Sequence, residues 1–221
     1  QKKTGLYPVQ PAAMPKEAAV APENVRQTSG LFTEDMLSQL ETVFQKMASP
    51  LKLKLKLYLD DTPLSAELKR YMEELCGLTE KLSLEISSEE MEDRPCVRVC
   101  RADGSWTGLA FHGVPGGHEF TSFVLGLYNA AGPGQALDEG ILSEIRSLKP
   151  VHMKILVSLS CTMCPELVTA AQQIAAKNPG ATAEVYDLNH FAALKEQYKV
   201  MSVPCMVVDD GKTVSFGKKN I

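Results

Sequence analysis

Cys161-Thr162-Met163-Cys164 is the segment of this chain best equipped for chemistry. It lies between an apolar, β-prone run, Met153 to Ser160 (MKILVSLS), and a helix-like run opening on Pro165 (PELVTAAQQIA). Proline suits a helix's first turn, where its missing N–H has no intrahelical partner in any case. At such a strand-to-helix turn, free backbone N–H groups and the positive end of the helix dipole stabilise a thiolate. Cys161, expected at the helix N-cap and the more exposed of the pair, is the candidate attacking sulfur. Cys164, inside the first turn, is the candidate resolving sulfur that attacks the mixed disulfide formed by Cys161. Farther on, Val203-Pro204 opens another strand-like run, Cys205 to Asp209 (CMVVD). Pro204, expected in the cis form, would lie against the dithiol and present the Val203 backbone to a bound substrate strand, with Thr162 and Met163 as further contacts.

A pair of cysteines at this spacing can also be half of a zinc site, which needs two more closing ligands. Cys96 and Cys100 are the other cluster. Four positions apart on one predicted strand, they share a face but stand about 13 Å apart, too far to hold one ion without breaking the strand. Cys76, Cys96, Cys100 and Cys205 therefore read as buried small hydrophobes. Cys205, next to Pro204, is the exception worth testing. No metal is expected.

With 221 residues, 44% hydrophobic and 23% charged, the chain has the composition of an ordinary globular protein. Its formal charge of −4 provides no basic footprint for nucleic acid. No apolar run approaches a membrane span, and no signal-peptide pattern is visible. Six cysteines with one redox-spaced pair point to a reducing compartment, hence the cytoplasm, rather than to a secreted disulfide scaffold.

Residues 1–32, rich in Pro, Ala and charge, read as a linker or the tail of an upstream domain. Thr33 can cap a helix to about Ala48, with Met36, Leu40, Val43 and Met47 on its apolar stripe. Strict alternation predicts a strand from Leu51 to Leu59. A helix over 63–75 follows, then strands near 82–86, 96–101 and 107–111, a helix over 118–129, and a break at Ala131-Gly132-Pro133-Gly134. After a helix over 138–148 come a strand (153–159), a helix (165–176), a strand (182–187), a helix (190–198) and strands at 205–209 and 213–217.

The two halves resemble each other. Leu55 to Leu68 aligns with Lys154 to Leu167, setting Thr62 opposite Cys161 and Ser65 opposite Cys164. Arg94-Pro95-Cys96 likewise matches Val203-Pro204-Cys205. A dithiol on a strand-to-helix turn, followed by X-Pro before a strand, is a thioredoxin-like pattern. The expected fold is thus α/β, with two related halves of strand, helix, strand, X-Pro-strand and strand, of which the second keeps the dithiol. Residues 33–132 form the redox-inactive fold and 133–221 the redox-active one. The first half ends in a helix and the second stops after its last strand, so a final helix is expected to be missing by truncation.

From about Met36 to Ile221 the chain resembles the N-terminal domain of the alkyl hydroperoxide reductase flavoprotein subunit. The matching segments are Leu59-Asp60-Asp61, Gly117-His118-Glu119-Phe120-Thr121-Ser122, Ser158-Leu159-Ser160-Cys161, Cys164-Pro165 and Val203-Pro204. The His-Glu-Phe-Thr-Ser segment is not a general thioredoxin feature and narrows the match. The resemblance implies two tandem thioredoxin-like folds sharing one continuous mixed sheet with flanking helices, and a thiol–disulfide oxidoreductase that takes electrons from a flavin-containing, thioredoxin-reductase-like protein and passes them to a two-cysteine peroxiredoxin. It also implies that Glu119 reaches from the silent half to the dithiol and moves a proton there. By sequence alone, Glu119 reads first as an ordinary acidic residue at a helix N-terminus, favoured by the dipole, and only the resemblance raises the functional reading beside it. No cofactor is expected in this chain, FAD and NAD(P)H belonging to the partner reductase, since no GxGxxG follows a strand.

The chain departs from the resemblance in having no dinucleotide domain, in its first 30 residues, and in Cys205 where Ala would be usual. The first two differences suggest a peroxiredoxin fused upstream. General protein disulfide reduction, or non-catalytic docking of a peroxiredoxin, are the alternative functions.

Overall fold

Leucine and lysine alternate over β1 (Leu53–Tyr58), and a period of two sorts them by face: Leu53, Leu55 and Leu57 are buried while Lys54 and Lys56 stay half-buried. The structure, a computed structural model, describes residues 30–47, 52–217 and 219–221. Ahead of β1 runs α1 (Glu34–Lys46), capped by Thr33, whose hydroxyl accepts from the Met36 N–H at 3.3 Å. After β1 come α2 (Pro63–Gly77), β2 (Leu82–Ile86), β3 (Cys96–Arg101), β4 (Trp106–His112) and α3 (Glu119–Ala131). The second half contains α4 (Glu139–Ser147), β5 (Val151–Val157), α5 (Cys164–Lys177), β6 (Ala181–Asp187), α6 (Ala193–Gln197), β7 (Cys205–Val208) and β8 (Thr213–Phe216).

All strands join one eight-stranded mixed sheet in the order β2-β1-β3-β4-β6-β5-β7-β8. Within each half the first strand pairs parallel with the second and antiparallel with the third, and the fourth follows antiparallel. The halves meet where β4 pairs parallel with β6. The internal repeat is therefore a repeat of topology, and the fold is the tandem thioredoxin-like α/β architecture expected. Both aligned X-Pro bonds, Arg94–Pro95 and Val203–Pro204, are cis, as is Gly132–Pro133 at the break between the halves.

The main core lies on one face of the sheet. Leu55, Leu57, Val97, Val99, Phe111, Ile155 and Val185 meet Leu40 of α1, Leu68 and Met72 of α2, Phe123 and Leu127 of α3, and Leu167 and Val168 of α5. On the opposite face, Leu156, Tyr186, Cys205 and Val207 pack against Leu194, Tyr198 and Val200, in and just after α6. A smaller cluster of Tyr58, Cys96 and Ala110 covers that face in the first half. At the seam α3 lies against α5, and Gly126 makes the approach possible: a Cβ there would stand 2.8 Å from Gln172 Oε1.

Several elements differ from expectation. The strand expected over 153–159 runs from Val151 to Val157, leaving Ser158 to Ser160 free to turn into the dithiol. The helix expected over 190–198 shrinks to Ala193–Gln197. Asp187 is the cause: its side chain accepts from the Asn189 N–H at 3.0 Å, and its carbonyl accepts from the N–H groups of His190 and Phe191. A 3₁₀ turn, Asp209–Gly211, separates β7 from β8. Of the linker expected over 1–32, residues 1–29 lie outside the described residues, as do the expected helix end at Ala48 and strand start at Leu51, while Phe32 is buried in the core against Tyr71 and Phe120.

Candidate active site

Cys161 and Cys164 are joined as a disulfide with their Cα atoms 5.6 Å apart. The sulfurs are unequal in access: Cys164 is fully buried whereas Cys161 is half-buried, as expected of a resolving and an attacking thiol. The expected N-cap position of Cys161 is corrected, because α5 begins at Cys164 and Met163 is its N-cap. Cys161 instead closes a turn, its N–H donating to the Ser158 carbonyl at 3.0 Å. The disulfide still tethers the Cys161 sulfur to the first turn, within reach of the free N–H groups there. Thr162 and Met163 project outward, Met163 at 53% exposure.

Pro204 is buried, and Val203 is half-buried against the same core cluster that holds Cys164 and is flanked by Cys161. Cys205 is not part of this site. Alternation along β7 sends it through the sheet to the opposite face, where it is fully buried and burial pushes its thiol pKa up. Burial also raises the Cys100 thiol and pushes Cys76 up to about 12, so these groups remain protonated. Among the described residues no group of three or more His, Cys, Asp or Glu is placed to hold a metal.

The first half holds a buried carboxyl. Glu119 is the first residue of α3 and is 0% exposed. The head of α3 is tied to the dithiol turn by the His118 N–H, which donates to the Leu159 carbonyl at 2.9 Å. Gly117, at φ +54°, permits that contact, since a Cβ would sit 2.7 Å from the same carbonyl oxygen. Gly126 and Gln172, which touch, lie seven residues along α3 from Glu119 and eight along α5 from Cys164. Glu119 and Cys164 thus each open a helix, and the two helices pack against each other.

Burial pushes the Glu119 carboxyl up to about 7, opposed by the hydrogen bond from Ser122. One oxygen, Oε2, accepts from Ser122 Oγ; the other, Oε1, is buried with no hydrogen-bond partner among the described residues. His118 is exposed and makes no side-chain cap.

The aligned site of the first half is closed by hydrogen bonds. Asp60 Oδ1 accepts from Thr62 Oγ1 at 2.5 Å and from Ser65 Oγ at 2.6 Å. Ser65, opposite Cys164, is buried as its counterpart is. Sequence reasoning assigned no role to Ser122 or to His112. Ser122 stands three residues after Glu119, the spacing at which helical side chains meet, so the signal was present. His112 is 1% exposed on β4; its Nε2 lies 2.9 Å from Glu184 Oε1, and its Nδ1 2.7 Å from the Asp93 carbonyl oxygen. No local pattern announces that pair.

The family model described as a thioredoxin domain matches residues 151–220. The F component of alkyl hydroperoxide reductase from Pseudomonas aeruginosa is 29% identical over 188 residues, 85% of this chain and 35% of that protein. A Bacillus subtilis protein named NADH dehydrogenase is 29% identical over 185 residues, 83% of this chain and 35% of its own length. The chain thus spans about a third of the length of these curated relatives, each being covered over 35%. The solved NTD_N/C domain of alkylhydroperoxide reductase AhpF from Enterococcus faecalis superposes with a TM-score of 0.81 and 36% identity, covering 86% of this chain and 95% of that one.

Proposed function

We propose that this chain, which belongs to the family of N-terminal domains of the alkyl hydroperoxide reductase AhpF and is a thiol–disulfide oxidoreductase, relays electrons from a flavin-containing disulfide reductase to a two-cysteine peroxiredoxin. The observation that carries this reading is the closed disulfide between a half-buried Cys161 and a fully buried Cys164 at the head of α5. In the reduced chain, the Cys161 thiolate attacks one sulfur of the acceptor's disulfide. That bond breaks, the other acceptor sulfur leaves as a thiolate and takes a proton, and a mixed disulfide forms on Cys161. Cys164 then gives its proton to the Glu119 carboxylate and attacks Cys161 Sγ. The Cys161–Cys164 disulfide closes and the second acceptor sulfur leaves as a thiolate, so two electrons have passed to the acceptor.

Val203, Thr162 and Met163 form the rim against which the acceptor segment docks, the Val203 backbone pairing with it as a strand. Recharging runs the same exchange backwards, with FAD and NAD(P)H on the partner reductase supplying the hydride equivalents. The same reading assigns residues 33–132 a silent, supporting role and 133–221 the redox role, in a reducing compartment such as the cytoplasm. No helix among the described residues is long and apolar enough to cross a membrane.

The test is reconstitution. A flavoprotein disulfide reductase, NAD(P)H, the chain and an oxidised two-cysteine peroxiredoxin are combined, and peroxide-dependent NAD(P)H consumption is followed. Consumption should require the chain. Insulin disulfide reduction faster than peroxiredoxin reduction would favour a general disulfide reductase instead.

A further inference from the structure

Ser122 is the group that touches the Glu119 carboxyl. It lies one turn into α3, 1% exposed, on the same helical stripe as Glu119 and the Gly126 that meets α5. Its hydroxyl oxygen is placed against two acceptors, Glu119 Oε2 at 2.5 Å and the Glu119 carbonyl oxygen at 3.0 Å. A hydroxyl carries one proton and rotates, and its oxygen also accepts. With Glu119 ionised, Ser122 O–H donates to Oε2. With Glu119 protonated on Oε1, Ser122 O–H still donates to Oε2; with the proton on Oε2, it is donated to Ser122 Oγ, and the Ser122 proton swings to the backbone carbonyl. Every arrangement keeps a hydrogen bond on Oε2, so the carboxyl is held in one orientation in both charge states. Oε1, without a partner, is then the oxygen left to exchange a proton with another group.

We propose that Ser122 is a positioning residue for the dithiol chemistry: its hydroxyl holds Oε2 of Glu119 in both protonation states and reserves Oε1 for proton exchange with Cys164. The inference rests on the relay function proposed above only for the identity of the exchanging thiol; the anchoring of the carboxyl stands without it. The Ser122 hydrogen bond favours the ionised form, against the burial that disfavours it. Its loss raises the proton affinity of Glu119 and frees the carboxyl to rotate.

The experiment is an infrared titration of the protonated-carboxyl band in the oxidised chain, with the band assigned by its disappearance in Glu119→Gln. In Ser122→Ala the midpoint should move up by about one pH unit, a tenfold change in proton affinity, and the band should shift to higher frequency as its hydrogen bond is lost. Ser122→Thr, which keeps the hydroxyl, should restore both and serves as the readable variant if the alanine form does not fold. The pH profile of peroxiredoxin reduction is then recorded, and its midpoint should move with the infrared one. An unchanged midpoint and band in Ser122→Ala, or a threonine variant that behaves as Glu119→Gln does, overturns the proposal. If the infrared midpoint moves while the transfer profile does not, the anchoring stands and the proton-transfer role of Glu119 falls.

Discussion

The imidazole of His112 lies flat on the ring of Tyr186, centroids 3.9 Å apart and planes within 3° of parallel. The two residues are register partners on β4 and β6, so this stack joins the first half to the half that carries the dithiol. Glu184, which precedes Tyr186 on the same face of β6, accepts from the same imidazole. A buried stack and a charged hydrogen bond thus lock the seam on the face opposite the dithiol.

Loss of His112 should loosen the seam in a pH-dependent way. Burial pushes the imidazole towards its neutral form, but Cys96 and Glu184 outweigh it and raise the pKa to about 10. The folded value lies above the unfolded one of about 6.5, so the stabilisation is complete below that pH and is lost as pH rises towards 10. His112→Gln should cost about 3 kcal/mol at pH 6 and clearly less at pH 10 in urea denaturation. An equal cost at both would show that packing on Tyr186, not charge, holds the seam.

The two cysteine substitutions should separate attack from resolution. Cys161→Ser removes the accessible nucleophile and should abolish transfer to a peroxiredoxin. Cys164→Ser leaves attack intact and should accumulate a covalent complex with the acceptor, visible on a non-reducing gel and dissolved by dithiothreitol. Transfer that survives Cys161→Ser would refute the assignment.

Glu119→Gln should exchange activity for stability. The folded pKa of about 7 exceeds the ordinary 4.5, so the Glu119 contribution is intact below about pH 4.5 and lost as pH rises through 7. The variant should match the parent near pH 4.5 and exceed it by up to about 3 kcal/mol at pH 8, by denaturant melts. It should also slow resolution of the mixed disulfide, seen as slower release of the reduced acceptor in single turnover.

Gly117→Ala should act on the dithiol from the other half of the chain. A Cβ there meets the Leu159 carbonyl, and φ of +54° is unfavourable for alanine. The variant should lose about 1–3 kcal/mol and transfer electrons more slowly, because the head of α3 can no longer seat against the turn before Cys161. Unchanged transfer kinetics would show that this contact does not position the site.

Much of this molecule was legible locally. Leucine–lysine alternation defines β1, Thr33 and the stripe through Leu40 define α1, and Pro165 after Cys164 marks the head of α5. The dithiol and Val203-Pro204 were legible because their chemistry resides in residue type and spacing. The repeat was legible too, since Thr62 and Ser65 fall where the aligned cysteines stand. In α6, by contrast, the helical pattern from His190 failed against Asp187, whose side chain and carbonyl captured the first N–H groups.

The sequence by itself determined the elements, their order and the two sulfurs, because those depend on neighbours a few residues away. Only the tertiary structure decided what surrounds them. Both alternating faces of β7 are apolar, so nothing local could say that Cys205 turns away from the dithiol. His112 and Glu184 are 72 residues apart and meet through the parallel pairing of β4 with β6. Glu119 would be an exposed helix-head acid on an isolated helix; the assembled fold buries it, strips its water and raises its pKa, on a helix that packs against the one carrying Cys164. Burial and long-range pairing are properties of the assembled sheet and helices, and no local window of residues contains them.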